Sequence, residues 1–233
     1  MSKMFGTFIG FMGYMIQVIT KKPELAVKIY KFADKFDNRS SFSAAAHGNY
    51  LFNHGKLEEA LVKFKKMRKV SKKNYLKDIA GKNMALCYWR MNRLDDSIRV
   101  MEEIKNKYDY RDESILTTLG YFYFLNGNYE KAINSSEEAL KEKPEHGPAL
   151  DNLGQIYFKK GEYEKAEEYF LKALEYRDNL IDSKYFLGLI YEKWGDKGKA
   201  AEYFRKASLT NLTTFSTVTK EELDDKCSKY NIL

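Results

Sequence analysis

Apolar residues recur every three or four positions through most of the chain, which is the spacing of amphipathic helices. In the second half, these stretches come in pairs separated by short turns that contain glycine, as in 119–140, 153–174 and 187–208. Few prolines interrupt the pattern, and Leu, Lys, Glu and Ala dominate it. The sequence therefore predicts an all-α protein built from helix pairs.

Three helix pairs align without a gap at a spacing of 34 residues, as the positions of Leu119, Leu153 and Leu187 show. Weaker copies occupy 84–104 and 47–67, and 23–36 matches the second helix of a further copy. A repeat at a fixed period indicates a solenoid, in which each unit packs on its neighbours. The positions shared by the three strong copies are Gly120, Gly154 and Gly188; Tyr123, Tyr157 and Tyr191; Gly127, Gly161 and Gly195; Ala132, Ala166 and Ala200; and Ala139, Ala173 and Ala207.

The Leu-Gly-x-x-Tyr helix, the Gly-x-Tyr turn and the Ala-x-x-x-Phe-x-x-Ala helix resemble the tetratricopeptide repeat. The resemblance implies a right-handed superhelical solenoid of antiparallel helix pairs over residues 23–208. We expect a half unit at 23–40 and units near 41–77, 78–112, 113–146, 147–180 and 181–208. Residues 209–233 are predicted to be a polar linker and a capping helix, because Thr219 and Glu222 form a capping-box pattern.

The resemblance also implies a concave groove formed by the first helix of each unit. Concave solenoid surfaces bind partners, and a mixture of rings and amides suits a peptide backbone. The alternative for each ring is packing within the solenoid. The predicted groove residues are Asn49, Asn83, Arg90, Tyr121, Phe124, Asp151, Asn152, Gln155, Phe158, Tyr185 and Phe186.

Residues 1–22 form a separate hydrophobic segment, uncharged from Phe5 to Ile19. A helix over 4–20 is at the lower limit for crossing a bilayer, and the lysines that follow would keep the repeats in the cytoplasm. We favour this membrane anchor. The alternative is a first solenoid helix whose outer side contacts a second copy of the chain. In either case, the membrane or dimer contact would use Phe8, Phe11, Met12, Met15 and Ile19.

The net charge of +7 comes from the same end of the chain, since residues 1–77 contain 16 basic and 5 acidic side chains. Eight of the basic residues lie in 63–77. This cluster is either a solvated helix face or a contact for an acidic partner or anionic membrane surface. A nucleic-acid partner is disfavoured because no recognised motif accompanies the charge.

The sequence contains no recognisable catalytic, metal-binding or phosphate-binding motif, and no cofactor is expected. Cys87 and Cys227 lack a paired spacing, which favours buried thiols in a reducing compartment. The pattern predicts a non-catalytic scaffold that binds a peptide or protein segment, tethered to the cytoplasmic face of a membrane. The alternative is a soluble structural protein that dimerises through its N-terminal helix.

Overall fold

A computed structural model describes residues 8–16, 23–36, 41–107, 112–213 and 215–232. The described residues contain helices and no strand, and the protein is an all-α solenoid of helix pairs. Helix α1 covers residues 8–16. The others are α2 (Pro23–Phe36), α3 (Ser41–Asn53), α4 (Leu57–Val70), α5 (Asn74–Arg90), α6 (Leu94–Lys107), α7 (Glu113–Leu125), α8 (Tyr129–Glu142), α9 (Gly147–Lys160), α10 (Tyr163–Tyr176), α11 (Ile181–Lys193), α12 (Lys197–Ser208) and α13 (Lys220–Lys229).

The chain divides into two compact units, Met1–Asp109 and Tyr110–Leu233. In the first unit, α2 packs on α3, and α3, α4, α5 and α6 pack in chain order. In the second, α7 to α12 pack in chain order, α13 packs on α12, and the first helix α9 also contacts the first helices α7 and α11. Each first helix therefore has a second helix on one side and neighbouring first helices beside it.

Glycine closes the turn in four of the helix pairs that the structure describes. Gly161 ends α9 with φ of 80°, in the left-handed region where other residues are strained. The turn between α5 and α6 has Asn92 at φ of 59° instead. Asparagine tolerates this conformation better than most residues, so the degenerate unit keeps the same turn.

A second glycine position lets the two helices of a pair approach closely. A Cβ atom at Gly154 would lie 2.6 Å from the Phe170 ring, and one at Gly188 would lie 2.6 Å from the Phe204 ring. Both rings are fully buried. The repeated glycine and phenylalanine are thus one packing contact between first and second helix.

Helix α1 packs by its own glycines in the place of a first helix. A Cβ atom at Gly10 would lie 3.0 Å from Ser43 on α3, and one at Gly13 would lie 2.8 Å from the Tyr30 ring on α2. Tyr30 is fully buried as a result. In the part of the chain that the structure describes, no helix is long and apolar enough to span a membrane.

Candidate functional site

Residues 215–218, which precede α13, lie on the first helices of the second unit. We call these residues the C-terminal segment. The surface that it contacts is formed by α7, α9 and α11, and we call this surface the C-terminal inner face. Its members are Tyr121, Asp151, Gln155 and Asp182. The predicted polar linker is therefore a packed element within this unit.

Three side chains on the C-terminal inner face hold the segment directly. Asp182 Oδ1 accepts hydrogen bonds from the backbone N–H groups of Thr217 and Val218, each at 2.9 Å. Gln155 Oε1 accepts from the Thr217 hydroxyl at 2.8 Å. The ring of Phe215 meets that of Tyr121 edge-on, with centroids 5.8 Å apart. The surface thus binds both the backbone and the side chains of a segment that bends at Thr217 and Val218.

A second row of hydrogen bonds fixes these groups from behind. Gln155 donates to Asp151 Oδ2 at 2.8 Å, and the Ser183 hydroxyl donates to Asp151 Oδ1. Burial raises the pKa of Asp151. Burial and the Asp151 carboxylate raise the pKa of Asp182. The C-terminal inner face therefore has a buried acidic pair beneath the segment.

A cavity of about 320 Å³ remains beside the segment. Its walls come from α7, α9 and α11, from residues just before α9 and between α10 and α11, and from the segment itself, and include Thr118, His146, Asn152 and Arg177. His146 lies 3.3 Å from the Thr117 hydroxyl through Nδ1, and burial lowers the pKa of its ring. The segment thus fills only part of the space on this surface.

The first unit has a corresponding surface on α1, α3 and α5, which we call the N-terminal inner face. Phe42 and Ile79 occupy equivalent positions in two successive repeats, six residues before Gly48 and Ala85 respectively. Their side chains are 40% and 41% exposed. The Phe11 ring of α1 contacts that of Phe42, with centroids 6.2 Å apart. This surface combines exposed apolar side chains with amides and a cation. It consists of Phe11, Phe42, Asn49, Ile79, Asn83 and Arg90.

Three predicted groove residues lie together on the N-terminal inner face. Asn83 Nδ2 donates to Asn49 Oδ1 at 3.4 Å. Arg90 donates to the Phe52 carbonyl at 3.0 Å and stacks its guanidinium 4.8 Å from the Phe52 ring centroid. Asn49 and Arg90 are exposed and Asn83 is half-buried. Their polar atoms remain beside open apolar surface.

The predicted groove residues of the second unit are mostly buried. Tyr121 and Gln155 contact the C-terminal segment, and Asn152 donates to the Thr117 carbonyl at 2.9 Å, which ties α9 to α7. The remaining rings pack on other rings. These rings are Phe124, half-buried Phe158, Tyr185 and Phe186.

Sequence reasoning did not assign a role to Phe215, Thr217 or Asp182. Phe215 and Thr217 stand in a stretch that carries no repeat pattern. One observation could have identified the stretch, because Leu209, Leu212, Phe215 and Val218 place an apolar residue at every third position of an otherwise polar sequence. Their partners depend on tertiary packing.

Among the residues predicted to contact a membrane or a second copy, Phe8, Phe11 and Met12 are exposed and Met15 is half-buried. Ile19 lies outside the described residues. Phe8 and Met12 are four residues apart and share one side of α1. The exposed side of this helix is apolar.

The described residues hold no group of three or more His, Cys, Asp or Glu side chains that could bind a metal ion. Burial raises the pKa of the Cys87 thiol to about 12, so this thiol is protonated at neutral pH.

The family model for the tetratricopeptide repeat matches residues 111–179 and 145–208, and the helix pairs and turn glycines described above follow that pattern. Residues 111–208 therefore consist of tetratricopeptide repeats, and the chain has the helical solenoid fold of such proteins. This fold supports a role in protein–protein interaction, and members of the family are typically non-catalytic scaffolds.

Solved structures of tetratricopeptide repeat proteins share the fold. The structure of the APC/C hetero-tetramer Cut9-Hcn1 matches with a TM-score of 0.70 and 15% identity over 93% of this chain, which spans 41% of that chain. PilW, described as a type IV pilus biogenesis factor, matches with a TM-score of 0.69 and 16% identity, covering 85% of this chain and 90% of its own. YrrB, described as having an unusual peptide-binding site, matches with a TM-score of 0.56 and 17% identity, covering 73% and 86%. No curated protein sequence matches this tetratricopeptide repeat chain.

Proposed function

We propose that the protein is a non-catalytic scaffold that holds a peptide or protein segment on the inner faces of its first helices. The observation that carries this proposal is the non-helical segment on the C-terminal inner face. Asp182 accepts two successive backbone N–H groups there, while Gln155 and Tyr121 contact side chains. A surface with this chemistry suits a polypeptide segment.

The N-terminal inner face is the surface that we propose for an external partner. Phe42 and Ile79 are exposed, and Asn49, Asn83 and Arg90 lie beside them. Apolar side chains would supply most of the binding free energy, and the amides would bond the partner's backbone. YrrB, a tetratricopeptide repeat protein of similar fold, has a peptide-binding site, which agrees with this kind of role.

Capture of partners by the immobilised full chain tests the proposal. The Phe42→Ser/Ile79→Ser variant should retain about a tenth or less of each specifically captured protein, because it removes two exposed apolar contacts. Val62→Ser is the matched control, since Val62 is 62% exposed on the second helix α4. Equal capture by the wild type and the double variant would refute the assignment to this surface.

The exposed apolar side of α1 supports a second candidate, attachment to the cytoplasmic face of a membrane. Phe8 and Met12 would enter the interface, and the exposed lysines Lys65, Lys69 and Lys72 of the basic cluster would add about 1 kcal/mol each near anionic lipid. The alternative occupant of the same surface is α1 of a second copy, which would make the protein a self-associating structural protein.

Sedimentation with anionic vesicles and size-exclusion chromatography separate these two cases. If the side chains bind lipid, Phe8→Ser/Met12→Ser should lose vesicle binding. If they bind a second copy, the same variant should convert a dimer to a monomer in the absence of lipid. Leu25→Ser, an exposed apolar residue of α2, is the control. A variant that changes neither property would exclude both candidates.

A further inference from the structure

We propose that residues 215–218 are an internal ligand of the C-terminal inner face, and that this face accepts partner segments with the pattern aromatic-x-Thr-aliphatic in their place. The inference rests on the scaffold role proposed above and adds the chemistry of a partner and its regulation. The contacts of Phe215, Thr217 and Val218 support this inference.

The backbone of the segment is recognised by one carboxylate. Asp182 Oδ1 accepts both the Thr217 and the Val218 N–H groups at 2.9 Å. Both bonds go to one oxygen of a side chain that is itself buried. The two consecutive N–H groups reach that oxygen because the segment bends at Thr217 and Val218, so any segment that makes the same bend can form this contact whatever its side chains.

Three side chains add sequence preference. The Phe215 ring contacts Tyr121 edge-on, the Thr217 hydroxyl donates to Gln155, and Val218 is almost completely buried. Gln155 donates in turn to Asp151, which fixes its carbonyl oxygen toward the segment. The surface therefore favours a segment that has an aromatic ring, a hydroxyl and an aliphatic side chain at these spacings.

The segment connects two parts of the unit that have contacts of their own. Upstream, Thr210 is held by a hydrogen bond from Lys184 at 3.1 Å. Downstream, α13 has its own anchor, because Lys229 and Tyr230 bond Glu192 on α11 at 2.7 and 3.1 Å. Residues 211–218 thus form a short connection between two independently fixed points.

The C-terminal segment covers only part of the C-terminal inner face, so a partner segment can replace it there. Phe215 is 37% exposed, and the cavity of about 320 Å³ continues along the same surface past the segment. A tethered ligand has an effective concentration on the order of millimolar. An external segment must overcome that competition, so the tether sets a threshold of partner affinity.

The test uses a fluorescent peptide of the chain's own sequence, NLTTFSTVTK, which corresponds to residues 211–220. Wild-type full chain should bind it weakly, because the internal copy competes. The full-chain variant Phe215→Ala/Thr217→Ala weakens the internal copy and should bind the peptide about tenfold more tightly. A peptide with alanine at the same two positions, NLTTASAVTK, should bind the variant no better than it binds the wild type.

Variants of the face itself provide the second arm. Asp182→Asn, or Gln155→Ala should the first fail to fold by circular dichroism, should abolish the gain when combined with Phe215→Ala/Thr217→Ala. Absence of peptide binding to the opened variant would overturn the inference and show that the segment is only structural. A wild-type dimer that the Phe215→Ala/Thr217→Ala change dissociates would also overturn it, since the occupant would then be a second copy. Capture through Phe42 and Ile79 is unaffected by either result, so the scaffold role is judged separately.

Discussion

Single glycines in this protein have opposite sensitivities to substitution. Gly154 lies where a Cβ would be 2.6 Å from the buried Phe170 ring. Gly198, in the first turn of α12, has open space, since its Cβ would meet only Asp196 Oδ1 at 3.6 Å. The same chemical change therefore has different consequences at the two sites.

Gly154→Ala should lower the free energy of unfolding by about 1–3 kcal/mol, because the Phe170 ring must shift within a packed core. Gly198→Ala should leave it unchanged or raise it by up to about 1 kcal/mol, since alanine has the higher helix propensity. Urea denaturation measures both. An equal effect of the two substitutions would show that the contact with the Phe170 ring does not determine the loss of stability.

The buried acidic pair makes the stability of the second unit depend on pH. Burial raises the pKa of Asp151, and burial together with the Asp151 charge raises the pKa of Asp182. The pKa of an Asp side chain in the unfolded protein is about 3.9. Above that pH the folded state still holds protons that the unfolded state has released, so stability falls as pH rises toward the folded pKa.

Asp151→Asn should flatten this dependence. The free energy of unfolding of the wild type should fall relative to the variant between about pH 4 and the raised folded pKa, because the variant has no proton to release at position 151. The measured quantity is the difference in free energy of unfolding between the wild type and the variant as a function of pH. Parallel profiles would mean that Asp151 titrates normally.

At the scale of elements, the polar attachment of α13 to α11 converges on one acidic side chain. Glu192 on α11 accepts hydrogen bonds from Lys226, Lys229 and Tyr230. Burial would raise the pKa of Glu192, but the bonds from the two lysines outweigh it and lower the pKa. The capping box of Thr219 and Glu222 begins this helix, as the sequence predicts. The helix is thus defined locally and positioned by a distant residue.

Glu192→Gln should loosen α13 by about 1–2 kcal/mol, since three bonds to a carboxylate are weakened. Hydrogen exchange should accelerate in Lys220–Lys229 and remain unchanged in α9. Glu202→Gln is the control, because its pair with Lys206 is on the exposed side of α12 and such pairs contribute little. Equal acceleration by the two variants would argue against Glu192 as the anchor.

Helix α1 shows how an element is decided by its surroundings. Its lack of charge favours a membrane anchor, yet Gly10 and Gly13 pack on Ser43 and Tyr30 as in a first solenoid helix. The exposed Phe8, Phe11 and Met12 remain available for lipid or protein. The membrane hypothesis therefore stays a prediction about the outer side of a packed helix.

At the scale of the whole molecule, the second unit contains three complete helix pairs and a cap. Val218, Leu223 and Ile232 after the last repeat are buried in the same core as Phe204. Solenoid stability is the sum of repeats and their nearest-neighbour contacts, and an uncovered end exposes apolar surface. The cap is therefore part of the stability of this unit.

A fragment of residues 110–233 should fold by itself, and a fragment of residues 110–208 should melt at least about 10 °C lower. The shorter fragment loses the burial of three apolar side chains and the contact between the Phe204 and Tyr230 rings. Thermal circular dichroism of the two fragments gives the comparison. Equal melting temperatures would show that residues 209–233 add no stability.

The sequence alone determined the helices, the turns and the repeat. The signals are glycine at the turns, alanine and phenylalanine at the helix crossings, and the capping box. Each acts through contacts with residues in the same repeat unit. Their spacing along the chain therefore predicts them, and the all-α solenoid of tetratricopeptide repeats follows.

Only the tertiary structure decided what lies on the inner faces. Tyr121 and Gln155 could be placed on a first helix from the repeat, but their partners Phe215 and Thr217 are up to 94 residues away and follow no period. Whether a ring binds a partner or packs inside depends on which distant segment reaches it. Asp182 acquires its role in the same way, since two backbone N–H groups reach its carboxylate only when the chain returns across α11.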